Sequence, residues 1–183
     1  MEAETVRDSL LSVSGKLDTT MGGPEIEETQ AEQTFRRSLY FHTTPDSQAT
    51  FLKLFNAPDP TDCYKREESI VPQQALALAN SGLSRSQARL LAKKISAESK
   101  GPLDNTAFIR AAFENTLGRL PSEKELAESQ GFLRQEENQF RAAKSEGPDK
   151  ASPTDVVASE PGLRARENLV HVLFNHNDFV TIR

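Results

Sequence analysis

The chain has 183 residues, a net charge of −5 and a pI near 5.3. A chain of that length can bury a core without metals or disulfides, and the single cysteine, Cys63, excludes an internal disulfide, a CxxC pair and a CxxCH haem-attachment motif. The mean hydropathy is −0.57, and no apolar run approaches the ~20 residues that span a bilayer, so membrane insertion is not expected.

There is no tryptophan and there are only two tyrosines, against ten phenylalanines. Bulk carried by Phe, Leu and Ala favours packed helices over a β-sandwich rich in Val, Thr and Tyr. Lysines and arginines are scattered among acids. No basic face of the kind that grips a phosphate backbone is expected, so nucleic acid is not an expected partner. The opening, MEAETVRDSL, is acidic and amphipathic and does not read as a secretory signal.

Val6, Leu10 and Val13 fall at helical spacing, so Ala3 to Ser14 reads as a helix that Gly15 terminates. Gly22-Gly23-Pro24 marks a turn, and the acidic run from Glu25 to Glu32 reads as an exposed connector. Phe35 to Phe41 is short and β-permissive. Ser47 to Phe55 reads as a helix with Phe51, Leu54 and Phe55 on one face, followed by the rigid loop NAPDPTD. Pro72 suits the first turn of a helix through QQALALAN that pauses near Ser81-Gly82. Ser84 is the expected cap of the next helix, which turns Ala88, Leu91, Ala92 and Ile95 inward and stops before Gly101-Pro102.

Asp104 or Asn105 caps a helix carrying Ile109, Phe113 and Leu117, and Gly118 closes it. In PSEKE, Ser122 and Glu125 have the spacing of a capping box. Leu126, Leu133 and Phe140 then recur every seven residues along a long helix. Ser145 to Glu160 has the composition of a mobile linker. Leu163 to Phe174 is the last helix, expected to bury Leu169, Val172 and Leu173 before a turn and a short extended tail. The runs SLYF and FVTI are the two places where a strand is possible, and they could pair. The expected fold is mainly α: an irregular multi-helix array with long loops and at most a minor two-stranded element, read as a single domain over residues 1–183.

The stretch RRSLYFHTTPD concentrates polar chemistry. Ser38, His42 and Asp46 have the residue types of a nucleophilic triad. Their four-residue spacing would align them only on a helix, and Thr43-Thr44-Pro45 opposes one; a polar loop bonding the backbone is the plainer reading. Cys63 with His42 meets the minimum for a thiolate dyad, but free cysteines are mostly small buried hydrophobes. His171 and His176 are five residues apart and diverge on a helix, so a metal site needs His42, His176 and Asp178 to assemble from a distance. Arg36, Arg37 and Arg66 could clamp a carboxylate or phosphate, or pair with nearby acids in a structural network, the commoner arrangement. Tyr40 and Tyr64 would serve either case. In SIVPQQALALAN, the amides of Gln73, Gln74 and Asn80 sit where they can satisfy helix-end backbone groups or hold a loop. The candidate polar site therefore comprises Arg36, Arg37, Tyr40, His42, Asp46, Cys63, Arg66, Gln73, Gln74 and Asn80, with no catalytic residue assigned and no metal or cofactor expected.

The blocks LLSVSGKLDTTMGGP, RRSLYF, FLKLFNAPDPTDCYKREESIVPQQALALANS, LGRLPSEKE and RARENLVHVLFNHNDFVTIR together resemble a planctomycete-specific domain of unknown function. That domain lies at the C-terminus of large planctomycete proteins that also carry a cytochrome-c-like domain. Where relatives often read Phe-Arg-His-Thr-Pro, this chain reads Phe41-His42-Thr43-Thr44-Pro45. The resemblance implies that the chain is the C-terminal portion of the family domain, without the haem motif, and that full-length relatives are exported or periplasmic. The leading expectation is a non-catalytic helical accessory module that contacts neighbouring domains or protein partners or self-associates. The alternative is a hydrolase acting on a polysaccharide or sulfated glycan, centred on Arg36–Asp46 and the segment from Cys63 to Gln74.

Overall fold

The computed structural model describes residues 1–31, 33–57, 61, 71–98, 104–143 and 158–181. Among them the chain is mainly helical: α1 Ala3–Val13, α2 Thr50–Leu54, α3 Val71–Asn80, α4 Gly82–Glu98, α5 Asn105–Leu117, α6 Glu123–Ala143, α7 Pro161–Phe174 and α8 Asn177–Val180. Two 3-10 turns, Glu28–Gln30 and Ser38–Tyr40, lie between α1 and α2. The expected mobile linker falls almost wholly on residues 144–157, outside the described residues.

α4 is the spine. Its buried residues Leu83, Gln87, Leu91 and Ile95 form one four-residue ridge and Ser84, Ala88 and Ala92 a second, the pattern that lets helices interlock along their length. α7 packs along α4, α6 packs along α7, and α5 contacts all three. Phe108, Ile109, Ala112, Phe113, Leu133, Leu169, Val170 and Phe174 fill the space between them. On the other side of α4, α1 buries Ala3, Val6, Leu10 and Leu11. The buried apolar residues of both sides belong to one contiguous cluster. Ser14 Oγ, at the end of α1, lies 2.7 Å from the Oε1 of Gln87, so these two buried polar groups answer each other.

Local chemistry fixes the ends as expected at several places. Gly15 and Gly118 follow α1 and α5 with φ of +75° and +67°, a conformation glycine adopts without steric cost. Ser122 Oγ accepts from Glu125 N at 3.3 Å while Glu125 Oε2 accepts from Ser122 N at 2.8 Å, a reciprocal capping box at the start of α6.

Several expectations are corrected. The cap of α4 is Ser81, whose Oγ accepts from Ser84 N at 3.3 Å, while Ser84 itself is buried in the first turns. The acidic run after Pro24 is not wholly exposed: Ile26 and Ala31 are buried, and Ile26 bonds the backbone of Tyr40 and His42. Two apolar anchors hold the segment because its backbone groups find partners, Ile26 in Tyr40 and His42 and Ala31 in Arg7. SLYF and FVTI do not pair, because Ser38–Tyr40 is a 3-10 turn and Phe179 and Val180 belong to α8. Val172 is 51% exposed, since the seams with α4, α5 and α6 take Leu169, Val170, Leu173 and Phe174 instead.

Candidate functional site

Arg7 organises the polar strip. It sits on the buried side of α1, one turn after Ala3 and one before Leu10 and Leu11, and is 1% exposed. Its guanidinium donates to the carbonyls of Ala31 at 2.9 Å, Thr34 at 2.7 Å and Arg36 at 2.9 Å, and to Ser38 Oγ at 3.2 Å. It also lies 4.7 Å from the centre of the Phe41 ring. Burial pulls its pKa down to about 10, with the adjacent Asp8 working in the opposite direction. Arg7 thus satisfies backbone carbonyls of a loop that has no regular structure to satisfy them.

Asp8, next on the helix, accepts from Ser38 N at 2.9 Å and Ser38 Oγ at 2.7 Å. Arg37 Nε approaches Asp8 Oδ2 at 3.7 Å and its side chain remains 49% exposed. Arg36 turns the other way. Its guanidinium stacks 4.0 Å above the Tyr40 ring and donates to the carbonyls of Thr20, Gly22 and Pro24. The Tyr40 hydroxyl accepts from Gly22 N at 2.9 Å. One cation and one phenol therefore hold the Gly22-Gly23 turn against the strip. His42 Nδ1 lies 2.7 Å from Glu25 Oε2, and that carboxylate raises the imidazole pKa above its ordinary value.

The candidate residues thus divide. Arg36, Arg37, Tyr40 and His42 share one strip, but they do not converge: Arg36 and Tyr40 hold the Gly22-Gly23 turn, Arg37 approaches Asp8 and His42 pairs with Glu25. Ser38 bonds Asp8 and Arg7, His42 pairs with Glu25, and exposed Asp46 lies in the turn between Thr44 and Ser47, so no triad forms. Gln73 and Asn80 are exposed on α3 and Gln74 is half-buried there. Cys63 and Arg66, and with them the Cys63–His42 dyad, lie outside the described residues. His176 accepts from Asp178 N at 3.1 Å and so caps α8, while Asp178 accepts from Arg119. His171 Nε2 lies 3.3 Å from the Leu78 carbonyl, and burial lowers its pKa. Among the described residues no group of three or more His, Cys, Asp or Glu side chains converges.

Arg7 and Asp8 are the polar residues that sequence reading passed over. The signal was present: Ala3, Arg7, Leu10 and Leu11 recur at helical spacing, which places a charged residue inside an apolar stripe. Beside them lies an open groove of about 920 Å³ between α1 and the strip. One wall carries Glu4, Asp8, Ser9 and Ser12; the other carries Arg37, Leu39 and Phe41. Leu39 is 54% exposed. Such a cleft offers a part-apolar floor with a charged rim. No helix among the described residues is long and apolar enough to cross a membrane.

Neither the curated proteins nor the solved structures contain a match to this chain. A family model does match, over residues 1–133, which take in four of the five blocks that carry the sequence resemblance and leave Arg164–Arg183 beyond them. Those residues hold α1 to α5 and the first half of α6, and the chain belongs to the family that the model describes: PSD1, protein of unknown function (DUF1553).

Proposed function

We propose that the chain is a non-catalytic helical module, folded as one domain, that packs against a neighbouring domain or a protein partner through the groove between α1 and the Arg36–Phe41 strip. The observation that carries this reading is the division of labour in the strip. Arg7, Arg36, Tyr40 and Ser38 spend their polar groups on backbone carbonyls, a glycine amide and Asp8. What faces the groove from the strip is half-exposed Leu39 with Arg37 at its edge. An exposed leucine between a cation and carboxylates is the composition of a small interface rather than of a catalytic centre. The resemblance to planctomycete cytochrome-c-like multidomain proteins supports placing the module in an exported protein of that kind. The hydrolase reading, centred on Arg36–Asp46 and the segment from Cys63 to Gln74, has less support, since Arg36, Tyr40 and His42 are directed at partners within the strip and its flanking turn.

Sedimentation velocity over a concentration series, with a hydrophobic dye, tests the groove. Dye binding or self-association is expected for the wild type and is expected to fall in Leu39→Glu, with the thermal midpoint unchanged. A monodisperse wild-type monomer that binds no dye would overturn the proposal.

A further inference from the structure

α4 carries Arg85, Arg89 and Lys93 at successive four-residue steps. Each step climbs about 6 Å and turns about 40°, so the three cations form one ridge about 12 Å long. α7, packed along α4, adds Arg164 and Glu167 to the same seam. The carboxylate of Glu167 lies in the field of Arg89, Lys93 and Arg164, and Arg89 in that of Glu167, Arg85 and Arg164. Glu167 is 3% exposed and sits 3.8 Å from Arg89 Nε, which draws Arg89 down to 18% exposure. Arg85 and Lys93 stay exposed at the rim, and the half-buried Arg164 lies over the Phe140 ring at 4.3 Å. Arg85, Lys93 and Arg164 form no salt bridge among the described residues.

Among the described residues, Glu167 is the carboxylate that lies against these cations, in a chain whose net charge is −5. The scatter of basic residues along the sequence becomes a concentrated face once α4 and α7 meet. Like charges four residues apart on a helix repel, so an anion over Arg85 and Lys93 would relieve repulsion that Glu167, placed at Arg89, does not reach directly.

We propose that the Arg85–Arg89–Lys93 ridge, with Arg164, binds an acidic polypeptide segment of a partner. The spacing favours that ligand. Side chains on one side of an extended strand recur about every 7 Å, and two such repeats come close to the ~12 Å between the rim cations Arg85 and Lys93 along α4. Carboxylates four positions apart on one side of an extended peptide stand about 13–14 Å apart, so such a peptide meets both, whereas one free phosphate reaches only one of them. A long nucleic-acid polyanion, with a charge about every 1.7 Å in duplex form, would meet repulsion from the acidic remainder of the chain. Glu167 holds Arg89 in place at the centre and leaves the rim cations for the ligand.

Fluorescence anisotropy with a labelled peptide of alternating glutamate and serine, at low ionic strength, tests this on the full chain. Saturable binding is expected, with Kd raised at least about tenfold in Arg85→Glu/Lys93→Glu. Binding is expected to be unchanged in Lys124→Glu, a reversal at an 86%-exposed position of α6. Circular dichroism establishes that each variant is folded, and Arg85→Gln/Lys93→Gln reads the same loss with a gentler change. The proposal is overturned by absent or non-saturable binding, or by an equal loss in Lys124→Glu. It is equally overturned if equimolar inorganic phosphate displaces the peptide, or if a single-stranded oligonucleotide binds more tightly than the peptide.

Discussion

A guanidinium at 1% exposure has given up its hydration, and the two terminal nitrogens of Arg7 replace theirs with three carbonyls and a hydroxyl. Removing it leaves several buried acceptors unmet, each costing roughly 1–3 kcal/mol. Arg7→Met keeps most of the volume and is expected to lose on the order of 3 kcal/mol in chemical denaturation. Unchanged stability would mean that the loop finds other donors. His42 is exposed, so its pairing with Glu25 is read by titration instead. Its imidazole should titrate above the ordinary 6.5, because Glu25 favours the cation, and Glu25→Gln should return it towards that value. With the folded pKa raised, any stability from this pair is present below pH 6.5 and is lost as pH rises through the shifted value. NMR titration of the ring protons checks both statements.

At the scale of the element, the start of α6 gathers the most polar chemistry. Glu125 closes the capping box and also accepts from Arg119 at 2.7 Å and 3.0 Å. Arg119 in turn donates to Asp178 of α8, so one arginine joins the α5–α6 corner to the end of the chain. The Arg119 bond, followed by the Ser122 backbone bond, lowers the Glu125 pKa to about 2 from 4.5. A depressed carboxylate pKa contributes stability that is whole above about 4.5 and is lost as pH falls towards about 2. Thermal melts across that window are expected to show a steeper acid loss in the wild type than in Glu125→Gln. Parallel curves would remove the capping box from the account of acid sensitivity.

For the whole molecule, α4 is the element both sides share. It contacts α1 on one side and α5 and α7 on the other, and Leu91 at its centre has no exposed surface. Leu91→Ala opens a cavity where the two sides meet and is expected to cost about 2–5 kcal/mol. The loss should appear equally in probes placed near α1 and near α6. Separate transitions from the two probes would mean that the sides unfold independently.

How much was legible follows from the range of each interaction. Helix periodicity, the glycines at positions 15 and 118 and the Ser122–Glu125 box act within one or two turns, so sequence alone placed them, along with the mainly α class. Boundaries decided by competition between neighbours were missed: Ser81 rather than Ser84 caps α4, and α8 forms where an extended tail was expected. The strip was legible as a cluster of polar residues, but its partners were not. Asp8 reaches Ser38 across thirty positions, and Arg89 meets Glu167 only because α7 lies along α4. The sequence by itself determined which segments become helices, because backbone and capping preferences are local. Only tertiary structure decided which carbonyls Arg7 meets, that Arg36 is spent on a turn and that Glu167 of α7 lies against the cations of α4. Those outcomes depend on which groups lose water together when distant segments meet.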